Sequence, residues 1–456
     1  MYKNGTSHTN LVRAALAGLA LVAGFAFASP AAAQEKPKPK AHDAGKTYAI
    51  RGVKITTLAG PAIEKGNIVI HDGRIVAVGA DAPIPADAEV LDGAGLEAYP
   101  GMFDAVDQLG LEEINAVAAT VDTRELGEFN PQLQAATAVH PASEHIPVTR
   151  AAGVTHVVAA PTPGFGGGGS VILGQASVIN LSGWTLEEML VRRSVAMVVN
   201  WPDFNTRTFD LSTFSFKEKS FTEAKKEYDK KVQELTDFFD QARHYQQAAG
   251  KGSAQKYTRD LKLEAMIPVL EGKLPLLVLA DRAREIRGAV EFCDKQKVKM
   301  IVGSGADSMK VAELLKSKNI PVILGPTMQL SQNEDDPYDK YFTLPADLQK
   351  AGIKFAIASF DLQFVRRLPQ QAGNAVAYGL SHDDGLKAIT LYPAQIMGLD
   401  KDLGTLEAGK IANIMITNGD PLELRTEVKF LYINGRPTST DNKHKSLYEK
   451  YSKRPN

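Results

Sequence analysis

From Tyr99 onward the chain repeats one kind of word: "GVTHVVAAP", "VAMVVNWP", "LPLLVLAD", "KVKMIVGSG", "NIPVILGP" and "IKFAIASFD" are strand-length runs with no polar face. A strand that is apolar on both sides has to be covered on both sides, which is the situation of a parallel sheet wrapped in helices. Stretches of helical period lie between several of these runs. Ile286, Val290 and Cys293 recur in "REIRGAVEFCDKQ", and Met309, Ala312 and Leu315 in "DSMKVAELLKSK". Two further runs, "YPGMFDA" and "SVILGQASVINL", raise the strands to eight. The fold class expected is therefore α/β, a TIM (β/α)8 barrel rather than an open sheet.

The barrel is flanked by a different texture. "YAIRGVKITTL", "GNIVIHDGRIVAVG" and "AEVLDGAGLEAYPG" are short β-branched runs split by Gly and Asp turns, with His71-Asp72-Gly73 reading as a hairpin turn. "GTLEAGKIANIMITNGDPLELRTEVKFLYINGRP" returns to the same style near the C-terminus. The economical arrangement is a small β-sandwich domain formed by both chain ends, residues 47–98 plus 403–440, with a barrel over residues 99–402 inserted between them. A Lys/Glu-rich helical insertion at about residues 203–265 reads as a solvated helix over the barrel. "GLSHDDGLKAITLYPAQIMGL" reads as a helix pair broken at Pro393, and residues 441–456 as a charged tail.

These words resemble the amidohydrolase superfamily, and within it the imidazolonepropionase-like group. "GNIVIHDGRIVAVG", "YPGMFDA", "GLKAITLYPAQIMGLDKDLGTLEAGKIANIMITNGDPL" and "VKFLYINGRP" carry the likeness over about residues 47–438. The resemblance implies divalent metal at the C-terminal mouth of the barrel, held by an H-x-H on the first strand, a Lys or Glu near the fourth, a His on each of the fifth and sixth, and an Asp on the eighth. Such ions lower the pKa of bound water and polarise the scissile carbonyl. In this chain the H-x-H positions fall on Ala105 and Asp107, the fifth-strand position on Leu279 and the sixth on Ser304. Asp361 is the eighth-strand acid, with one residue of latitude across Ser359-Phe360-Asp361, and the fourth-strand ligand has no evident counterpart. A tight imidazole site is not expected; Asp107 and Asp361 leave room only for a weakly held divalent metal such as Zn, Mn or Mg.

Two functions follow from the resemblance. The first is a hydrolase of C–N bonds in amides, cyclic amides or peptide-like substrates, with Asp361 and Asp107 as catalytic residues in a degenerate metal site. The alternative is an inactive relative that binds a small molecule or a protein partner in the barrel pocket. Ser304, Asp281, His140 and His145 are the candidate substrate contacts; Asp281 also reads as the N-cap of the next helix, and Ser143 as the N-cap ahead of His145. His156 reads as a barrel-strand residue packed against a covering helix, and Trp184 and Trp201 as packing anchors. "PTPGFGGGGSVILGQ" lacks the Lys-Ser/Thr ending of a nucleotide loop and reads as a loop at the barrel mouth.

Charge adds little: 52 Lys plus Arg face 53 Asp plus Glu, which gives no electrostatic footprint for nucleic acid. The resemblance also suggests a homodimer. Cys293 is the only cysteine, so no disulfide can close within the chain, and its place on an apolar helical face reads as a buried thiol. At the N-terminus, Lys3 and Arg13 precede the apolar run "AALAGLALVAGFAFA", followed by Ala31 and Ala33 at small-residue spacing. That is the pattern of a cleavable signal peptide over residues 1–33, with a flexible leader at 34–46, a periplasmic or secreted product and no membrane span after removal. N-terminal sequencing of the exported protein should begin at Gln34; retention of the apolar run would refute the cleavage.

Overall fold

The computed structural model describes residues 45–453 apart from 164–169, 205, 211–212, 251–257 and 332–333. The expected signal peptide and nearly all of the leader lie outside the described residues, as does the glycine run at 164–169.

The N-terminal β unit comprises β1 (Thr47–Ile55), β2 (Ile63–His71), β3 (Arg74–Gly79), β4 (Glu89–Asp92) and β5 (Glu97–Pro100). β2 and β3 form the expected hairpin; Asp72 and Gly73 both take positive φ, 47° and 77°, as the tightest two-residue turn requires. The barrel strands follow: β6 (Met102–Asp107), β7 (Val154–Ala159), β8 (Ile172–Asn180) and β9 (Leu190–Asn200). After a small hairpin of β10 (Arg207–Asp210) and β11 (Ser215–Glu218) come β12 (Leu276–Ala280), β13 (Met300–Ser304), β14 (Val322–Leu324) and β15 (Phe355–Ile357). β16 (Ile414–Thr417), β17 (Val428–Ile433) and β18 (Arg436–Pro437) close the chain.

The two chain ends do meet. β16 pairs antiparallel with β5, from Ile414 opposite Pro100 to Thr417 opposite Glu97, which joins both ends into one sheet of order β18-β17-β16-β5-β1-β2-β3, with β4 beside β1. Ile50, Ile55, Ile68, Ile70, Ile414 and Ile416 form its own core. Met415, Leu431 and Ile433 alternate to the opposite face and join the core of the barrel and its helices.

All eight expected barrel strands are present, in the order β6-β7-β8-β9-β12-β13-β14-β15. One departs from the expectation: β8 runs antiparallel to both β7 and β9, so the barrel is TIM-like with seven parallel strands and one reversed. The reason lies in the connections. A parallel neighbour needs a crossover long enough to carry the chain back, usually a helix; among the described residues no helix stands between β7 and β8, and only the single turn Leu186–Met189 stands between β8 and β9, too short to carry the chain back.

The seam between β6 and β15 is bridged along its length. Below, Phe103 N donates to the Ile389 carbonyl (2.7 Å) and Ile357 N to the Ala388 carbonyl (3.0 Å); above, Phe360 N donates to the Val106 carbonyl (3.1 Å). This also explains where the C-terminal helix pair breaks. The break falls at residues 388–390, where the carbonyls of Ala388 and Ile389 face the strands, and Pro393 instead sits in the first turn of the second helix, Leu391–Ile396, where no amide hydrogen is needed. The insertion is a hairpin followed by α1 (Phe221–Gly250) and α2 (Leu261–Leu270); Leu235, Phe239 and Ala242 of α1 are buried, and Phe239 meets Phe292 edge-on at 5.1 Å. The charged tail contains a helix, Lys443–Ser452.

Gly101 joins the composite sheet to the barrel. A Cβ there would run into the Thr155 side chain, which is anchored by its hydrogen bond to the Met102 carbonyl (3.2 Å). Gly101→Ala should destabilise the protein by about 1–3 kcal/mol through overpacking. Denaturant unfolding with an unchanged midpoint would show that β5, β6 and β7 do not approach this closely.

Candidate active site

The interior of the barrel is an apolar column. Phe103, Ala105, Val106, Val158, Val198 and Ile301 belong to it, and Leu279 and Phe360 pack against it. Two carboxyls are set into this environment. Asp104 and Asp107 on β6 have no accessible surface, and Ser359, just past β15, is equally buried.

Ser359 links the two acids across the seam. Its amide donates to Asp104 (3.2 Å to each oxygen), and its Oγ lies 2.5 Å from Asp104 Oδ2 and 2.9 Å from Asp107 Oδ2. A hydroxyl has one hydrogen to give, so one of these contacts requires a proton on a carboxyl. Asp104 already receives the Ser359 amide and the Val106 amide (3.3 Å), whereas Asp107 receives the Leu109 amide (2.5 Å). The consistent arrangement is a relay: protonated Asp107 donates to Ser359 Oγ, and Ser359 donates to the Asp104 carboxylate. Burial pushes both acids above the usual carboxylate range, and Asp107 is raised further by the charges of Asp104 and Asp361.

The turn after Ser359 sorts the next two residues. Phe360 takes a positive φ of 52°, unfavourable for a bulky side chain, and lies over the apolar column. Asp361 then emerges half-buried at the rim, where its Oδ1 accepts the Gln363 amide (2.8 Å). Its charge is felt by Asp107 below and by Glu112, whose carboxyl is raised first by burial and then by Asp361. His145, also near Glu112, holds its Nε2 3.1 Å from the Glu113 carbonyl.

The other candidates are distributed around the same end of the barrel. Ser304 ends β13 with a φ of 72°, next to Gly305 at 61°. Asp281 is exposed and accepts the Ala306 amide (3.3 Å); it is not the helix N-cap, because Glu285 receives the Asp281 and Arg282 amides at 3.2 and 3.0 Å instead. His140 is exposed on the long segment after β6, its amide bound to the Gly110 carbonyl (2.8 Å). Ser143 does accept the His145 amide (3.3 Å), although the residue preceding the helix is Glu144.

Several other readings resolve at once. Cys293 is buried, and burial pushes its thiol up to about 12, which makes it inert. His156 does not face a covering helix: Asn413 Nδ2 lies 3.3 Å from its Nε2, Thr155 Oγ1 lies 2.9 Å from its Nδ1, and burial pushes the ring down to about 3. Trp201 is buried, but Trp184 is 93% exposed and anchors nothing. Met309 is likewise exposed.

The donor set does not fit the metal centre that the fold implies. Asp107, at one histidine position, is enclosed by Ser359 and the Leu109 amide; Ala105 and Leu279, at two others, belong to or pack on the apolar column. Among the described residues no group of three or more His, Cys, Asp and Glu is arranged to hold an ion. Sequence reasoning missed Asp104 and Ser359. The available signal was an acid in mid-strand within an otherwise buried run, a position where a carboxyl persists only with a partner.

Comparison with known proteins agrees with this architecture. The amidohydrolase family model matches residues 283–440. A curated relative described as amidohydrolase tasK, from Hapsidospora irregularis, is 21% identical over 403 residues, 81% of this chain; the chain spans 39% of that protein's length. An amidohydrolase from Thermotoga maritima MSB8 superposes with a TM-score of 0.74 at 23% identity, over 86% of this chain and 99% of that one. A putative prolidase from Bifidobacterium longum (TM-score 0.52, 16% identity, 90% and 100% covered) and phenylurea hydrolase B (0.54, 14%, 87% and 97%) share the fold more distantly. The chain thus shares its fold with solved amidohydrolases, and its residues 283–440 match the amidohydrolase family model.

The relay makes an asymmetric prediction. Asp107→Asn keeps a donor toward Ser359 and an acceptor for Leu109, so it should cost less than about 1 kcal/mol, whereas Asp104→Asn disrupts the acceptor of several hydrogen bonds and should cost about 1–3 kcal/mol. The pH dependence has a definite sign. Folded carboxyls held above their unfolded values, near 4, stabilise fully below that pH, and the contribution is lost as pH rises toward and through the raised folded values. Urea midpoints between pH 4 and 8 should fall for the parent and flatten in Asp107→Asn; equal costs, or a midpoint rising with pH in this window, would refute the relay.

Proposed function

We propose that this chain is an exported hydrolase of the amidohydrolase kind, cleaving an amide or cyclic-amide C–N bond at the C-terminal mouth of its barrel by carboxyl acid–base chemistry. The observation carrying this reading is the half-exposed Asp361 at the rim, with the buried, proton-sharing Asp107 behind it. Asp361 is the base that takes a proton from the attacking water. Glu112, raised by burial and by Asp361, is suited to deliver a proton to the departing nitrogen. Asp107 has no surface of its own, so its part is to hold, through Ser359, the proton that keeps a second charge from forming beneath Asp361. Ser304, Asp281, His140 and His145 belong to the surrounding substrate surface in this reading. No step is assigned to a bound metal, because the side chains at the family's histidine positions do not suit one.

The named relatives set the first substrates to try: Xaa-Pro dipeptides and phenylureas, beside simple cyclic amides. Hydrolysis should be measured on the purified protein with chelator and with added Zn, Mn or Mg. Asp361→Asn should lower kcat by roughly 10²–10⁴-fold, the usual worth of a positioned general base, and activity should survive the chelator. Activity abolished by chelator and restored by stoichiometric metal would overturn the metal-free reading. No turnover of any substrate, with a small molecule retained by the barrel, would overturn the hydrolase itself.

A further inference from the structure

At the opposite end of the barrel from Asp361, a cleft of about 520 Å³ opens among the N-terminal parts of β9, β12, β13 and β14. This volume lies within the ordinary range of small-molecule sites. Its lining has two parts. Val195, Leu274, Ile301 and Met397 supply a buried apolar floor. Arg192, Lys273, Lys299 and Lys318 stand around it, and Asp294 is the one carboxylate in the lining.

The sequence as a whole carries a net charge of only -1, so this concentration of cations is local. Helix C-termini account for part of it: α2 ends at Leu270, and two further helices end at Gln296 and Ser317, where a cation complements the helix dipole. Arg192, on β9, likewise stands three residues past a one-turn helix, Leu186–Met189. One feature is left unexplained. Lys299 forms no ion pair among the described residues, whereas Lys273 is paired with Glu271 (2.7 Å) and Lys318 with Asp294 (2.8 Å). Helix ends direct carbonyls to this face, so an anion seated here is held by side chains alone.

We propose that this cleft is a binding site for a small organic anion with an apolar body, the body on the floor and the charged head between Lys299 and Arg192. The chemistry is complementary on both counts: burial of the apolar part drives association, and the cationic rim selects the sign of the head group. The site is separate from the hydrolytic reading and stands or falls without it.

Octanoate, octylammonium and inorganic phosphate serve as probes on the whole protein, with calorimetry as the readout. Octanoate should bind, octylammonium and phosphate far more weakly, and added salt should weaken octanoate. Lys299 is exposed, so Lys299→Glu should leave the unfolding midpoint unchanged while weakening octanoate by roughly tenfold or more. Equal binding of octanoate and octylammonium, phosphate binding as tightly as octanoate, or octanoate affinity indifferent to Lys299→Glu at an unchanged midpoint would each overturn the proposal. Asp361→Asn serves as the positional control: it removes a negative charge at the mouth, so octanoate binding tightened in that variant would place the anion at the mouth and overturn the site.

Discussion

The barrel depends on how its first and last strands are held together. β6 and β15 are joined below by the carbonyls of Ala388 and Ile389 and above by the bond from Phe360 to Val106. Between these lies the Asp104–Ser359–Asp107 relay, the polar link across an otherwise apolar interior. A buried carboxyl without a partner would cost several kcal/mol, and two adjacent carboxylates would repel. One hydroxyl and one retained proton remove both difficulties, so the same side chains close the barrel and fix its protonation state.

That arrangement has consequences for the site. The metal centre implied by the resemblance to amidohydrolases calls for nitrogen donors at the mouth, whereas here Ala105 belongs to the apolar column and Leu279 and Phe360 pack against it. Asp361 escapes to the rim because the backbone turns at Phe360. Asp361 is therefore half-exposed at the rim, with the buried Asp107 and Ser359 underneath. At the other end, the cleft combines an apolar floor with lysines placed partly by helix ends, so the two ends of one barrel differ in electrostatic character.

Much of this was legible in the sequence. Runs apolar on both faces located all eight strands, because a strand buried on two sides cannot be written any other way. Asp72-Gly73 announced its turn, and Ile286, Val290 and Cys293 their buried helical face. The direction of β8 was harder to read, because its composition is that of any buried strand and direction is set by the connection. The relay was half legible: Asp107 drew attention as a replaced ligand position, while Ser359 is 252 residues away and its partnership is invisible locally.

The sequence by itself determined the identity of the strands, the joining textures of the two chain ends and the loss of the imidazole set, since each of these is a matter of which side chains occur in which order. Tertiary structure decided which acids meet, which one keeps the proton, and which carboxyl reaches water. Those properties arise from burial and from distances of about 3 Å between the first barrel strand and the turn after the last, and neither quantity exists until the ring of strands has closed.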